Sequence, residues 1–112
     1  NYAFTQLSAV EIWSDFSYVQ RSMEKSPYFI RVLQKDLKYW KKFFNNNEIP
    51  NYVHSGTTIG EYVILIPTHS LSFEETTGFK VDSLKKTIHY AKSNEIYAYA
   101  SKYIEHKYGT PA

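Results

Sequence analysis

The stretch Tyr62–Pro67, with the sequence YVILIP, is the longest apolar run in the 112-residue chain. Its β-branched residues predict a strand, and Pro67 closes it because proline cannot donate a hydrogen bond to a sheet ladder. Every position is apolar, so we expect both faces of this strand to be covered. The run is much shorter than the ~18–20 apolar residues of a transmembrane helix, so we expect no membrane insertion.

The surrounding middle third predicts a small sheet. Glycine and proline interrupt it, and helical periodicity disappears. Asn51–His54 is a short candidate strand, and Ser70–Phe73 alternates polar with apolar residues, which predicts a strand with one solvated face. A small antiparallel sheet of two to three strands is the simplest arrangement of these segments.

The N-terminal residues have the pattern of an amphipathic helix. Ser8 and Glu11 have the spacing of a capping box, and apolar residues follow at helical spacing. The predicted helix covers about Ala9–Glu24. It ends there because a residue that precedes a proline, as Ser26 precedes Pro27, disfavours the α conformation.

A second helix is predicted over about Pro27–Asn45. Proline suits the first helical position, where its missing N–H costs no hydrogen bond, and the asparagine run 45–47 is a plausible C-terminal stop. Because only two or three residues join the two helices, we expect an antiparallel helical hairpin. The apolar face of the second helix consists of Phe29, Leu33, Leu37, Trp40 and Phe44.

The C-terminal third predicts two more helices. Asp82 is the expected N-cap of the first, and a change in the direction of the apolar stripe indicates a break at Ser93-Asn94. The predicted fold class is therefore α+β, with an N-terminal helical hairpin, a small antiparallel sheet and a C-terminal helical pair. We expect residues 1–112 to form a single compact domain. Since the chain starts at Asn1 rather than at methionine, we expect it to be a piece of a longer chain.

The formal net charge of +2 is unevenly distributed. Segment 31–47 has five cationic residues and one acid, whereas segment 48–79 has four acids and neither lysine nor arginine. The cationic side chains Arg31, Lys35, Lys38 and Lys42 are spaced 4, 3 and 4 residues apart, so they would lie in one line on the second predicted helix. This line would be opposite the apolar face, and Tyr39 would border it.

This basic line is the main candidate binding surface. A solvated helix face usually mixes both charges, yet here no acid lies in the line. We therefore predict a non-enzymatic interaction module that binds a partner protein with an acidic or amphipathic surface, through this basic helical face and exposed tyrosines. The alternative partner is nucleic acid, which lysines would bind through phosphates and Tyr39 through base stacking. An ordinary solvated face is the simplest alternative to any function.

The tyrosines of the C-terminal helices form a second candidate surface. Tyr99 and Tyr103 fall on the apolar stripe, so we expect them at the margin of the core. Tyr90 and Tyr97 fall near the opposite side. If exposed, they would contact a partner protein or a second copy of the chain, because tyrosine is enriched at interfaces.

Two further classes of function have weaker support from the sequence. A helix-turn-helix over 82–92 and 95–107 would place mainly Glu95, Ile96 and Tyr97 in the position that touches DNA bases, and these are poor readers of guanine. A small enzyme around His54 and His69 would need further ligands or a nucleophile at a recognised spacing. We predict no catalytic residue, metal or cofactor.

The remaining features of the composition exclude few further classes of protein. The chain has no cysteine, so it has no disulfide framework and no thiolate metal site. This absence fits either side of a membrane, and we expect a soluble, cytoplasmic protein. No motif in the sequence identifies a protein family.

Overall fold

The structure, a computed structural model, describes residues 2–14, 25–93 and 98–109. The described part is a mixed sheet with helices on both of its faces. The strands are β1 (Tyr2–Phe4), β2 (Lys25–Leu33), β3 (Asn51–Val53), β4 (Gly60–Thr68), β5 (Glu74–Thr76) and β6 (Phe79–Val81). The helices are α1 (Gln6–Trp13), α2 (Leu37–Asn46), α3 (Leu84–Lys92) and α4 (Ala98–Tyr108), with a 3₁₀ turn (Gln34–Asp36) before α2.

The six strands lie in the order β3-β4-β2-β1-β6-β5. The longest pairing is the parallel one between β2 and β4, which runs over nine residue pairs. The β3–β4 and β1–β6 pairs are also parallel, whereas β1–β2 and β5–β6 are antiparallel. The apolar run Tyr62–Pro67 lies within β4, between two neighbouring strands. Its residues Ile64 and Leu65 are both almost inaccessible to solvent, so the prediction that both faces are covered is confirmed.

Alternate residues of β2 separate two hydrophobic layers. Ile30 and Val32 pack with Phe44 of α2 in one cluster. A second cluster joins α1, α3 and α4 to Val81 of β6. Because successive side chains of a strand point to opposite faces, Arg31 is directed away from α2 and toward the layer formed by α1 and α3.

The predicted fold class is wrong, because the expected helical hairpin does not form. Residues 25–33 form β2 instead of the first half of a helix. Their β-branched and aromatic side chains suit a strand, and pairing with β4 satisfies the backbone along the whole segment. Among the described strands, β1 pairs only with Ile30–Val32. Pro27 therefore lies where β2 has a neighbour on one side, which tolerates its missing N–H.

The first helix also differs from its prediction. α1 begins at Gln6, so Ser8 lies inside the helix and is not its cap. The Ser8 hydroxyl is buried and accepts a hydrogen bond from the Phe29 backbone N–H at 2.9 Å. The predicted C-terminal part of this helix, residues 15–24, lies outside the described residues.

The sheet is larger than expected, and only part of it is antiparallel. The predicted strand Asn51–His54 corresponds to β3, but Ser70–Phe73 is not a strand. A hairpin of β5 and β6 follows it, with a two-residue turn at Thr77 (φ 49°) and Gly78 (φ 85°). Two positive φ angles are typical of the turn that matches the twist of a hairpin.

Two C-terminal helices are present, as the sequence predicts. Ser83, rather than Asp82, caps α3, since its hydroxyl accepts a hydrogen bond from the Lys86 backbone N–H. The predicted break cannot be compared beyond Ser93, because residues 94–97 lie outside the described part. Among the helices that the structure describes, none is long and apolar enough to cross a membrane.

The β5–β6 turn provides a test of this sheet. Gly78→Ala should lower the free energy of unfolding by about 1–2 kcal/mol, because a residue with a Cβ pays this cost in the left-handed conformation. An added Cβ would meet no atom within 4 Å, so the loss is conformational rather than steric. Gly78→Asn should lower the free energy of unfolding by a smaller amount, since asparagine tolerates this conformation. Urea denaturation measures the stability of both variants, and an unchanged stability of Gly78→Ala would contradict the left-handed conformation of this turn residue.

Candidate functional site

Arg31 forms a bidentate ion pair with Asp82 on the α1 and α3 side of the sheet. Its Nε atom donates to Asp82 Oδ1 and its Nη2 atom donates to Asp82 Oδ2, each at 3.2 Å. The guanidinium-bearing side chain is 26% exposed and the Asp82 side chain only 5%. Arg31 therefore does not belong to the predicted basic line, because it lies on β2 and not on α2.

Thr5 completes this polar network. Its hydroxyl donates to Asp82 Oδ2 at 2.5 Å and accepts a hydrogen bond from Arg31 Nη2 at 2.9 Å. Thr5 and Asp82 directly follow the parallel strands β1 and β6, whose carboxyl ends meet at the same edge of the sheet. Arg31 reaches them from the neighbouring strand, where it pairs with Ala3.

The Asp82 backbone is held as firmly as its carboxylate. Its N–H donates to the Phe4 carbonyl at 2.8 Å, which continues the β1–β6 ladder. Its carbonyl accepts a hydrogen bond from Trp13 Nε1 at 2.9 Å and lies 3.4 Å from the Thr87 hydroxyl, which donates to it. These contacts fix the position of the carboxylate, and through it the orientation of the Arg31 guanidinium.

A cleft of about 650 Å³ opens beside this network. Thr5, Arg31 and Asp82 line it from the sheet edge, and α3 contributes side chains that include Lys86 and His89. Ligands of open α/β sheets bind at this kind of place, outside the carboxyl ends of parallel strands. The cleft is therefore a candidate ligand site that no local pattern in the sequence indicates.

Gln6 borders the cleft in an unusual backbone conformation. Its φ angle is 50°, between Thr5 in extended conformation and the following helical residues. A left-handed glutamine is uncommon, and such strain often occurs at functional sites.

The outer side of α2 is the second candidate surface. Lys38, Tyr39 and Lys42 are exposed there, and Lys35 is exposed in the 3₁₀ turn that precedes the helix. The three lysines of the predicted basic line and Tyr39 therefore lie near one another, whereas Arg31 lies on another element, β2. The exposed fractions of Tyr39 and Phe43 are 64% and 43%.

An unbroken series of ring contacts, which we call the aromatic band, runs from α2 across β1 to β6. Neighbouring ring centroids are 5.4–6.5 Å apart, and the Tyr39 and Phe43 rings are nearly parallel. Lys80 Nζ lies 5.6 Å from the centre of the Tyr2 ring. The members of the band, in order, are Phe43, Tyr39, Trp40, Tyr2, Phe4 and Phe79.

The C-terminal tyrosines lie only partly where the sequence predicts them. Tyr90 is half-buried against Val10 and Ala100, and it also lines the cleft. Tyr97 lies outside the described residues. Tyr103 packs at the margin of the core as expected, whereas Tyr99 is 73% exposed and the prediction for it is wrong.

His54 and His69 are both exposed and belong to loops. His54 follows β3 with a φ of 66°, and His69 follows β4 and borders a shallow hollow with Lys35. Over residues 2–14, 25–93 and 98–109, no group of three or more potential metal ligands occurs.

The Asp82 network gives a stability prediction. Asp82→Ala should lower the free energy of unfolding by about 2–3 kcal/mol, because it removes the charged acceptor of the partly exposed Arg31 guanidinium and of the buried Thr5 hydroxyl. Lys92→Ala is the control: it breaks the ion pair between the exposed Lys92 and the half-buried Glu105, which should cost about 1 kcal/mol. Chemical denaturation compares the two, and equal losses would contradict a structural role of the Asp82 carboxylate.

The described residues thus present two separate candidate surfaces: the cleft at the carboxyl ends of β1 and β6, and the basic and aromatic side of α2. The cleft combines a fixed ion pair with cationic and hydroxyl side chains. The α2 side combines exposed rings with lysines. No protein-family model, no curated protein and no solved structure matches this chain, so the chemistry of these two surfaces carries the functional assignment.

Proposed function

We propose that this domain is a non-enzymatic interaction module that binds an acidic partner protein through the aromatic band and the lysines beside it. The observation that carries this proposal is the continuity of the band from Phe43 on α2 to Phe79 on β6. Tyr39, Phe43 and Phe79 are exposed, and the rings between them, Trp40, Tyr2 and Phe4, are half-buried. Single exposed apolar residues are normal on a protein surface, but apolar side chains that adjoin one another often mark interaction sites.

The residue types in the band favour a protein as the partner. Aromatic side chains are enriched in the centres of protein interfaces because they bury a large area at a small cost in conformational entropy. Tyr39 and Trp40 meet Tyr2 around a hollow of about 480 Å³ that Lys80 also lines. A projecting apolar side chain of a partner would fit such a hollow, since binding energy concentrates in well-packed central pockets.

The charges beside the band favour an acidic partner. Lys35, Lys38 and Lys42 are exposed along this side of the molecule, and Asp36 is the acid that accompanies them. Charges at the rim of an interface mainly accelerate association with an oppositely charged surface. We therefore assign affinity chiefly to the rings and partner choice chiefly to the lysines.

Single-stranded nucleic acid is a second candidate for the same surface. The nearly parallel Tyr39 and Phe43 rings beside lysines resemble the stacking platforms that bind unpaired bases. Because Arg31 lies on β2 and not on α2, the basic line keeps only Lys35, Lys38 and Lys42 to bind phosphates. The aromatic band also continues onto β1 and β6, beyond the lysines of α2. These observations favour the protein partner.

The remaining expectations stay proposals. Self-association through Tyr90 and Tyr97 would appear as a concentration-dependent mass in analytical ultracentrifugation. A cytoplasmic location belongs to the same proposal and is tested by fractionation of the source cells. An enzyme around His54 and His69 has no supporting observation, so we do not propose it.

A peptide-display experiment tests the aromatic band. Random 16-residue peptides selected on the domain should be rich in acidic residues with interspersed apolar ones. The Tyr39→Ala/Phe43→Ala variant should bind them at least about tenfold more weakly, since truncation of hot-spot side chains typically costs that much. Tyr99→Ala removes a comparably exposed tyrosine from α4 and should leave binding unchanged. Equal losses of affinity in both variants, or selected peptides that are not enriched in acidic residues, would contradict the proposal.

Charge reversal tests the lysines separately. Lys38→Glu/Lys42→Glu should slow association with the selected peptides by about tenfold at low salt, and the difference should shrink as salt screens the charges. Lys102→Glu/Lys107→Glu, on α4, makes the same charge change on an element that does not contribute to the band. If a dT20 oligonucleotide binds more tightly than every selected peptide and loses affinity steeply with salt, nucleic acid replaces protein as the assigned partner.

A further inference from the structure

We propose that the cleft between the β1–β6 edge and α3 binds a small organic molecule that carries a phosphate group. This site is separate from the aromatic band, because none of the residues that line the cleft belongs to the band. Neither composition nor periodicity pointed to it, since the network on which it depends joins residues 5, 31 and 82.

Arg31 supplies a positioned donor for the phosphate. Asp82 and Thr5 hold its Nε and Nη2 atoms, while its Nη1 atom has no hydrogen-bond partner among the described residues. The side chain is partly exposed and lines the cleft. A guanidinium whose orientation is already fixed loses little conformational freedom when it binds an anion, and its geometry suits phosphate oxygens.

The charge of the cleft is positive after its ion pair is counted. Asp82 offsets Arg31, which leaves Lys85 and Lys86 on the α3 side. Within residues 2–14, 25–93 and 98–109, Lys86 Nζ hydrogen-bonds to the neutral Ser72 hydroxyl at 3.2 Å and forms no ion pair, so its charge is not neutralised there. Two lysines match the charge of one phosphate group, which is close to −2 at neutral pH.

The site is built from side chains and not from a helix end. Two of the first N–H groups of α3 are already engaged: Leu84 N donates to the Glu74 carboxylate at 2.9 Å, and Lys86 N donates to the Ser83 hydroxyl. The exposed Glu74 carboxylate opposes an anion at that end of the helix. We therefore place the phosphate nearer to Arg31, and the rest of the molecule along α3 toward His89.

The lining and size of the cleft indicate the remainder of the ligand. Tyr90 contributes a half-buried ring, and the alkyl parts of Lys86 and Thr87 add apolar surface. A volume of about 650 Å³ is in the range that accommodates small organic ligands. Inorganic phosphate alone would leave most of this surface unused, so an organic phosphate with a ring or chain should bind more tightly.

Heteronuclear NMR titration of the whole domain tests this proposal. The probes are inorganic phosphate, glucose 6-phosphate, AMP and, as a phosphate-free control, adenosine. We expect at least one organic phosphate to bind more tightly than inorganic phosphate, with shift changes at residues 5–6 and 83–93, and adenosine to bind at least about tenfold more weakly than AMP. No saturable binding of any phosphate up to about 10 mM would overturn the proposal.

Matched lysine variants distinguish this cleft from general attraction to a basic protein. Lys86→Gln should weaken binding of the best phosphate about fivefold to tenfold, since it removes one of the two uncompensated charges. Lys92→Gln makes the same change on α3 outside the cleft and should have little effect. Equal effects of the two variants, or shift changes centred on Lys38 and Lys42, would overturn the assignment. Both lysines are exposed, so both variants should remain folded.

Discussion

The parallel pairing of β2 with β4 is the constraint on which the rest of the fold depends. It extends over nine residue pairs and fixes the segment from Lys25 to Leu33 as a strand. Because side chains alternate along a strand, this pairing sends Ile30 and Val32 beneath α2 and sends Arg31 to the opposite face. A shift of one residue would exchange the two sets, so the same register sets both the α2 layer and the polar network.

Local sequence patterns predicted the elements whose signals are long or strong. β4, the Leu37–Phe44 part of the predicted apolar face, now on α2, and the two C-terminal helices are of this kind. In β2, Phe29 and Leu33 have helical spacing with Leu37, while Tyr28, Ile30 and Val32 alternate as in a strand. Both patterns coexist in one segment, and only the partner β4 decides between them. β1 and β6 have three residues each, which is too short for any periodicity to be recognised.

The candidate sites show the same limit of local patterns. Lys38, Tyr39 and Lys42 could be grouped from sequence because helical spacing alone brings them together on α2. Arg31 belonged to this group only because the sequence predicts a helix over about Pro27–Asn45, whereas Arg31 lies on β2. Thr5 and Asp82 are 77 positions apart, and their hydrogen bond requires the parallel β1–β6 pair. No spacing rule finds such a contact, although the position of both residues directly after a strand would have indicated it once the strands were known.

The place of β1 in the sheet has a consequence for the order in which the chain acquires structure. β1 lies between β2 and β6, so β1 is synthesised before both of its neighbours and can pair with β6 only after residue 81 has been made. Until then, one edge of β1 stays unpaired and Thr5 has no Asp82 to bind. During synthesis the sheet is therefore expected to close late, when β6 joins β1, and the unpaired edge of β1 is exposed to aggregation until that step.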